Sequence, residues 1–180
     1  TCSAMSISTE QSDFLYLDKS VAAVRSVSLG GVAGNGSVVM GRGPMLIKLH
    51  DGNGRVVFIV DPAGVYLKSS VSQSRLRILG QQRMKAHGFN IHQNKFKDNL
   101  DYLVYKNSRM FLLETKRSIL LLKTMLITQN ERKSKSLNSA VDMIMSREDQ
   151  NCCFTFCADN DNYVGDNGSY RIELVDNGMN

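Results

Sequence analysis

The sequence predicts a mainly β fold, a closed barrel or sandwich with one short helix, followed by a small α+β extension at the C-terminal end. Three observations carry this expectation. Residues 1–67 alternate short apolar or β-branched runs with turn residues and contain no convincing helical period. Residues 55–60, RVVFIV, are apolar almost without alternation, as befits a strand covered on both faces. A helical period first appears around residues 80–87 and returns near 136–146.

Taken in order, residues 14–29 (FLYLDKSVAAVRSVSL) read as two strands about a turn at Asp18-Lys19-Ser20. A glycine-rich hairpin follows, joined at Asn35-Gly36, a pair that accepts the positive φ of a type I′ turn. Its second strand is Ser37 to Met40. Residues 45–50 (MLIKLH) form the next strand, Asp51-Gly52-Asn53-Gly54 a turn, and 55–60 the buried strand. Asp61-Pro62-Ala63-Gly64 is expected to end that strand, and Val65-Tyr66-Leu67 to resume in extended form.

Leu76, Leu79, Arg83 and Met84 suit a helix that begins around Gly80, and Gly88 is its natural stop. Phe89 to His92, Leu100 to Tyr105, Arg109 to Glu114 and Ser118 to Leu122 read as short strands, with turns at Asp98-Asn99 and Lys106-Asn107-Ser108. We divide the chain into a β domain over 1–123, a polar linker over 124–135 and an extension over 136–180. The extension holds an amphipathic helix capped by Ser136 or Asn138, and a hairpin from 152–158 and 169–175.

Charge is unevenly spread. Residues 148–180 carry seven acids and one base, which leaves the body at +11 within a net charge of +5. A body of that sign suits an acidic partner or nucleic acid. The basic residues Arg75, Arg77, Arg83, Lys85, Lys95 and Lys97 are the candidate contacts to RNA, although few aromatics interleave with them for base stacking.

Other chemistries fit poorly. No apolar run reaches the roughly 18 residues of a membrane helix, so no membrane span is expected. Thr1 to Glu10 has neither the basic nor the apolar region of a secretory signal. The four cysteines, Cys2, Cys152, Cys153 and Cys157, make no disulfide framework and suit an intracellular, reducing compartment. Cys153 and Cys157 lack the further ligands of a zinc site. Gly34, Gly36 and Gly41 miss dinucleotide spacing and precede no helix. The loop from Asp159 places Tyr163, Val164 and Tyr170 where a calcium loop needs an oxygen ligand, glycine and glutamate. No cofactor and no metal are expected. His50, His87 and His92 lie in no nucleophile-activating motif.

One order of elements remains. The opening Thr1-Cys2-Ser3-Ala4-Met5-Ser6-Ile7-Ser8 is similar to the segment that follows the catalytic aspartate of a retropepsin-like protease, with Thr1 matching Thr/Ser, Cys2 at the usual glycine, and Ser3 and Ala4 at small positions. The hairpin about Gly34, Asn35 and Gly36 resembles a flap. Ile78-Leu79-Gly80 resembles the apolar-apolar-Gly motif that leads into the family's helix, and 100–122 the strand-rich tail. By this order, residues 1–123 resemble the aspartic protease region of a copia-type retrotransposon Gag-Pol polyprotein.

The resemblance implies a retropepsin-like homodimer in which each copy gives one aspartate to a pair that shares a proton and activates water. It assigns Thr1, Cys2, Ser3, Gly34, Asn35, Gly36, Ile78, Leu79 and Gly80 to substrate binding. It assigns no catalytic residue among those written, because the aspartate falls ahead of Thr1 and Cys2 replaces glycine. The expectation is therefore a domesticated, non-catalytic domain. The alternative is a structural or interaction subunit of a larger assembly, meeting protein or RNA through its basic surface.

Overall fold

The computed structural model describes residues 4–27, 37–69, 76–92, 102–105, 109–116, 119–147, 154–159, 162–165 and 171–172. In chain order these form β1 (Ile7–Ser8), a 3-10 turn (Gln11–Asp13), α1 (Val21–Arg25), β2 (Ser37–His50), β3 (Val56–Ser69), β4 (Arg77–Ile78), α2 (Gln81–His87) and β5 (Phe89–His92). There follow β6 (Tyr102–Tyr105), β7 (Arg109–Lys116), β8 (Ile119–Leu122), α3 (Gln129–Lys133), α4 (Lys135–Met145), β9 (Phe154–Asp159), β10 (Asn162–Gly165) and β11 (Arg171–Ile172).

β3 is the strand on which the larger sheet is built. β2 lies antiparallel along its whole length, β9 pairs with Val56–Val60, and β1 runs parallel to Val65–Tyr66. The sheet order is β11-β10-β9-β3-β1-β4, with β2 also on β3; β5-β6-β7-β8 form a second, antiparallel sheet.

Strand periodicity sorts the central ladder into two faces. Met45, Ile47 and Leu49 of β2 and Val57 and Ile59 of β3 pack with Phe89, Leu103, Phe111 and Leu113 of the second sheet. The intervening Leu46, Phe58 and Val60 pack with Leu137, Ala140, Val141 and Ile144 of α4. Val57 through Val60 are fully buried, as the unbroken apolar run required.

The fold is mainly β, but it departs from the expectation in several places. The described strands form two open sheets, not a closed barrel. One face of β2–β3 is covered by the second sheet and the other by α4, so the sheet need not curl on itself. Four α-helices are present among the described residues instead of one short helix in the β domain and one in the extension.

Residues 14–27, the described part of the expected strand pair, are not two strands. Phe14 and Asp18 make isolated bridges to Met45 and Arg42. Val21–Arg25 then form α1, because Ser20 caps it by accepting from the Ala23 N–H, and local capping overrides the β preference of the valines. The 14–18 segment comes close to β2 only because residue 43 is glycine, where a Cβ would overlap the Tyr16 carbonyl oxygen.

Residues 37–40 and 45–50 join into the single strand β2 across two register shifts, at Val39/Gly41 and Gly43/Met45. β3 likewise continues through Asp61-Pro62-Ala63-Gly64. Pro62 is tolerated there because it falls at the register irregularity opposite Gly43 and Met45, where the Met45–Asp61 and Gly43–Gly64 pairs leave it unpaired.

The linker is folded. Thr128 and Glu131 make a reciprocal capping box that starts α3, which the charged composition of 129–136 concealed. The extension contains its expected helix and a hairpin, but Ser134 caps the helix instead of Ser136 or Asn138, and in the hairpin Phe154–Asp159 pairs with Asn162–Gly165 instead of with 169–175, because the intervening turn is short. Both are built onto the central sheet through β3. α2 and β5 to β8 lie where the sequence placed them, and Gly88 ends α2 with a φ of +105°.

Candidate functional site

Two chain segments about seventy residues apart meet at β1. Ile7 pairs with Val65 on one side and Ile78 on the other, and Ser8 with Tyr66 and Arg77. β1 is therefore threaded between β3 and β4. Ile7, Val65 and Leu67 are buried together, with Met5, Val39 and Ile78 packed against them.

The polar side of this junction is closed by serines. Ser6 Oγ accepts from the Gly80 backbone N–H at 2.9 Å, and the Ser6 carbonyl accepts from the Val65 N–H at 2.9 Å. Ser6 and Ser8 are fully buried, so these bonds replace water that neither side chain can reach. Gly80 is the N-cap of α2, and a Cβ there would stand 3.0 Å from the Met5 carbonyl carbon and 3.1 Å from the Ser6 nitrogen. The absent side chain lets the two backbones touch.

Beneath the junction, Ser8 Oγ donates to Asp13 Oδ2 at 2.6 Å. Arg77 grips the same carboxylate with two donors, Nε to Oδ2 at 2.6 Å and Nη2 to Oδ1 at 2.9 Å. This two-pronged geometry is the strong form of the pair. The hydrogen bond to Asp13 holds the Arg77 guanidinium more firmly protonated than usual, against the opposing effect of burial. A second pair ties α2 to β3: Arg83 Nε donates to Asp61 Oδ1 at 2.8 Å and Oδ2 at 3.0 Å, with Asp61 1 % exposed. Asp61 Oδ1 also accepts from the Ala63 N–H.

Of the substrate-binding residues assigned by resemblance, Ile78 and Gly80 lie against the start of β1, and Leu79 packs on the core between the two sheets. Thr1, Cys2, Ser3, Gly34, Asn35 and Gly36 lie outside the described residues, as do Arg75, Lys95 and Lys97 of the basic set. The described remainder of that set does not form one open surface. Arg77 and Arg83 are engaged with Asp13 and Asp61, and Lys85 is exposed on α2. Asp13 and Asp61 were not legible as site-building residues. Asp13 follows no motif, and Asp61 reads as a turn residue because proline comes after it.

Among the described residues no cluster of histidine, cysteine or acidic side chains is placed to hold a metal. No helix there is long and apolar enough to cross a membrane. No family model, no curated protein and no solved structure matches the chain.

Proposed function

We propose that this chain is a retropepsin-like domain, derived from the polyprotein-processing aspartic protease of a copia-type retroelement, and that it works as a homodimer in a reducing compartment. The observation that carries the reading is the contact of Ser6 with Gly80. The resemblance assigned residues 1–3 and 78–80, more than seventy positions apart, to one substrate-binding group. The chain just after the first segment is bonded to the last residue of the second.

On this reading the junction positions the loop ahead of β1. Ile7 and Ser8 are held on both sides by strands, and Gly80 fixes Met5 and Ser6 from beneath. A loop anchored in this way can present a carboxylate rigidly to its counterpart from a second copy. Two such carboxylates cannot both ionise and so act as base and acid on one water. That chemistry requires an aspartate directly ahead of Thr1. Cys2 stands where the family has glycine, which favours a binding role over catalysis.

The test is peptide cleavage at mildly acid pH by the protein with its natural upstream residue, with and without pepstatin, beside its mass in solution. A dimer that binds pepstatin, whether or not it turns over, supports the reading. A monomer that neither binds pepstatin nor cleaves would overturn it.

A further inference from the structure

Lys48 is 8 % exposed, yet among the described residues its ammonium makes one hydrogen bond, to Glu131 Oε1 at 2.6 Å. An ammonium carries three N–H donors, so two are left over. Lys48 lines a crevice of about 30 Å³ together with Arg77 and Arg132. Arg132 uses Nη1 on the Phe14 carbonyl at 3.0 Å, and Arg77 keeps Nη1 outside its grip on Asp13. Three cations thus arrive at one crevice from β2, β4 and α3.

Asp13 is the one carboxylate on this wall, and both of its oxygens are occupied, by Arg77 and by Ser8. The three cations thus meet two carboxylates, Asp13 on Arg77 and Glu131 on Lys48, which leaves one positive charge over among the described residues. The crevice has room for a small polar head, and the apolar residues at its side favour a ligand with an aliphatic stem, which inorganic phosphate lacks. Beside the cations stand Met125 and Leu126, 37 % and 78 % exposed. They offer an apolar surface to whatever carries the carboxylate.

We propose that this crevice is a binding site for an aliphatic carboxylate, the head held by Lys48, Arg77 and Arg132 and the stem laid on Met125 and Leu126. The carboxylate comes from a small free acid or from an acidic side chain of a peptide. The site shares Asp13 and Arg77 with the underside of the β1–Gly80 junction but does not depend on the protease reading.

The test is an amide NMR titration of the whole chain with butyrate, butanol, butylammonium and inorganic phosphate, and with the peptides acetyl-Leu-Glu-amide and acetyl-Leu-Gln-amide. Saturable shifts of the Lys48, Met125 and Leu126 amides are expected with butyrate and the glutamyl peptide, and none with the other four. Lys48→Met and Arg132→Gln should each weaken binding about tenfold, the scale of one charged hydrogen bond. Leu126→Ser, at an exposed position, should keep the fold and weaken binding more modestly. Tighter binding of the glutamyl peptide than of butyrate assigns a peptide ligand, and the reverse a free acid. Equal response to butanol or butylammonium, phosphate binding as tight as butyrate, no saturation, or undiminished affinity in folded Arg132→Gln and Leu126→Ser variants would each overturn the proposal.

Discussion

The backbone N–H of Gly80 donates to the buried Oγ of Ser6 at 2.9 Å, and a Cβ on Gly80 would stand only 3.0 Å from the Met5 carbonyl carbon and 3.1 Å from the Ser6 nitrogen. Gly80 has a φ of −66°, so its role is space and not unusual backbone geometry. Gly80→Ala should therefore cost about 1–3 kcal/mol through overpacking alone. Urea unfolding of the variant beside Ser6→Ala measures this. A neutral Gly80→Ala would show that Met5 and α2 can separate freely.

The Asp61–Arg83 pair predicts strong asymmetry between single and double substitution. Arg83→Leu leaves a carboxylate that is 1 % exposed without its guanidinium, and should cost about 3–5 kcal/mol. Asp61→Asn with Arg83→Leu should recover part of that loss, because the uncompensated charge is gone. A double-mutant cycle in denaturant reads the coupling directly.

Glu131 predicts a pH-dependent term. Burial alone would raise its carboxyl, but hydrogen bonds from Lys48 and from the backbone and hydroxyl of Thr128 outweigh it and hold the group below the ordinary glutamate range. A lowered folded-state pKa means that the charged form is favoured by folding. Its contribution is complete above the unfolded-state pKa of about 4.3 and is lost as pH falls through the folded value. Thermal melts of Glu131→Gln against the parent should differ most at neutral pH and converge in acid.

The central ladder predicts that residues 1–123 do not fold alone. Without α4, Leu46, Phe58 and Val60 lose their cover, and without β9 one edge of β3 is open. A fragment ending at Lys123 should bind a hydrophobic dye and melt without cooperativity. Within the whole chain, Phe58→Ala should cost about 3–5 kcal/mol, since Phe58 is fully buried.

Much of this fold was legible where one local signal sufficed. The apolar run at 55–60, Gly88 at the end of α2, and the short strands at 89–92 and 109–116 each follow from pattern and turn chemistry. Legibility failed where a local cap overrides the apolar or charged pattern, and where a distant partner decides. Val21–Arg25 turn on the Ser20 cap, and the charged 129–133 run becomes helix through a two-residue box whose glutamate also meets Lys48. The continuity of β3 through Pro62 depends on a register irregularity in β2 that no single strand announces. At the candidate site, Ile78 to Gly80 could be chosen by resemblance. Asp13, held by Arg77 from 64 positions away, could not, because nothing local marks a carboxylate that will be buried and paired.

The most direct test of the proposed function concerns Cys2. In a retropepsin-like homodimer each copy gives one aspartate to a shared pair, so the residues that follow it meet their counterparts near the two-fold axis. With Cys152, Cys153 and Cys157 changed to serine, mild oxidation should join two chains through Cys2, and pepstatin bound beforehand should alter the yield. A dimer linked through Cys2 is the result predicted here. A protein that stays monomeric, or that dimerises while Cys2 stays unlinked and pepstatin has no effect, would contradict it.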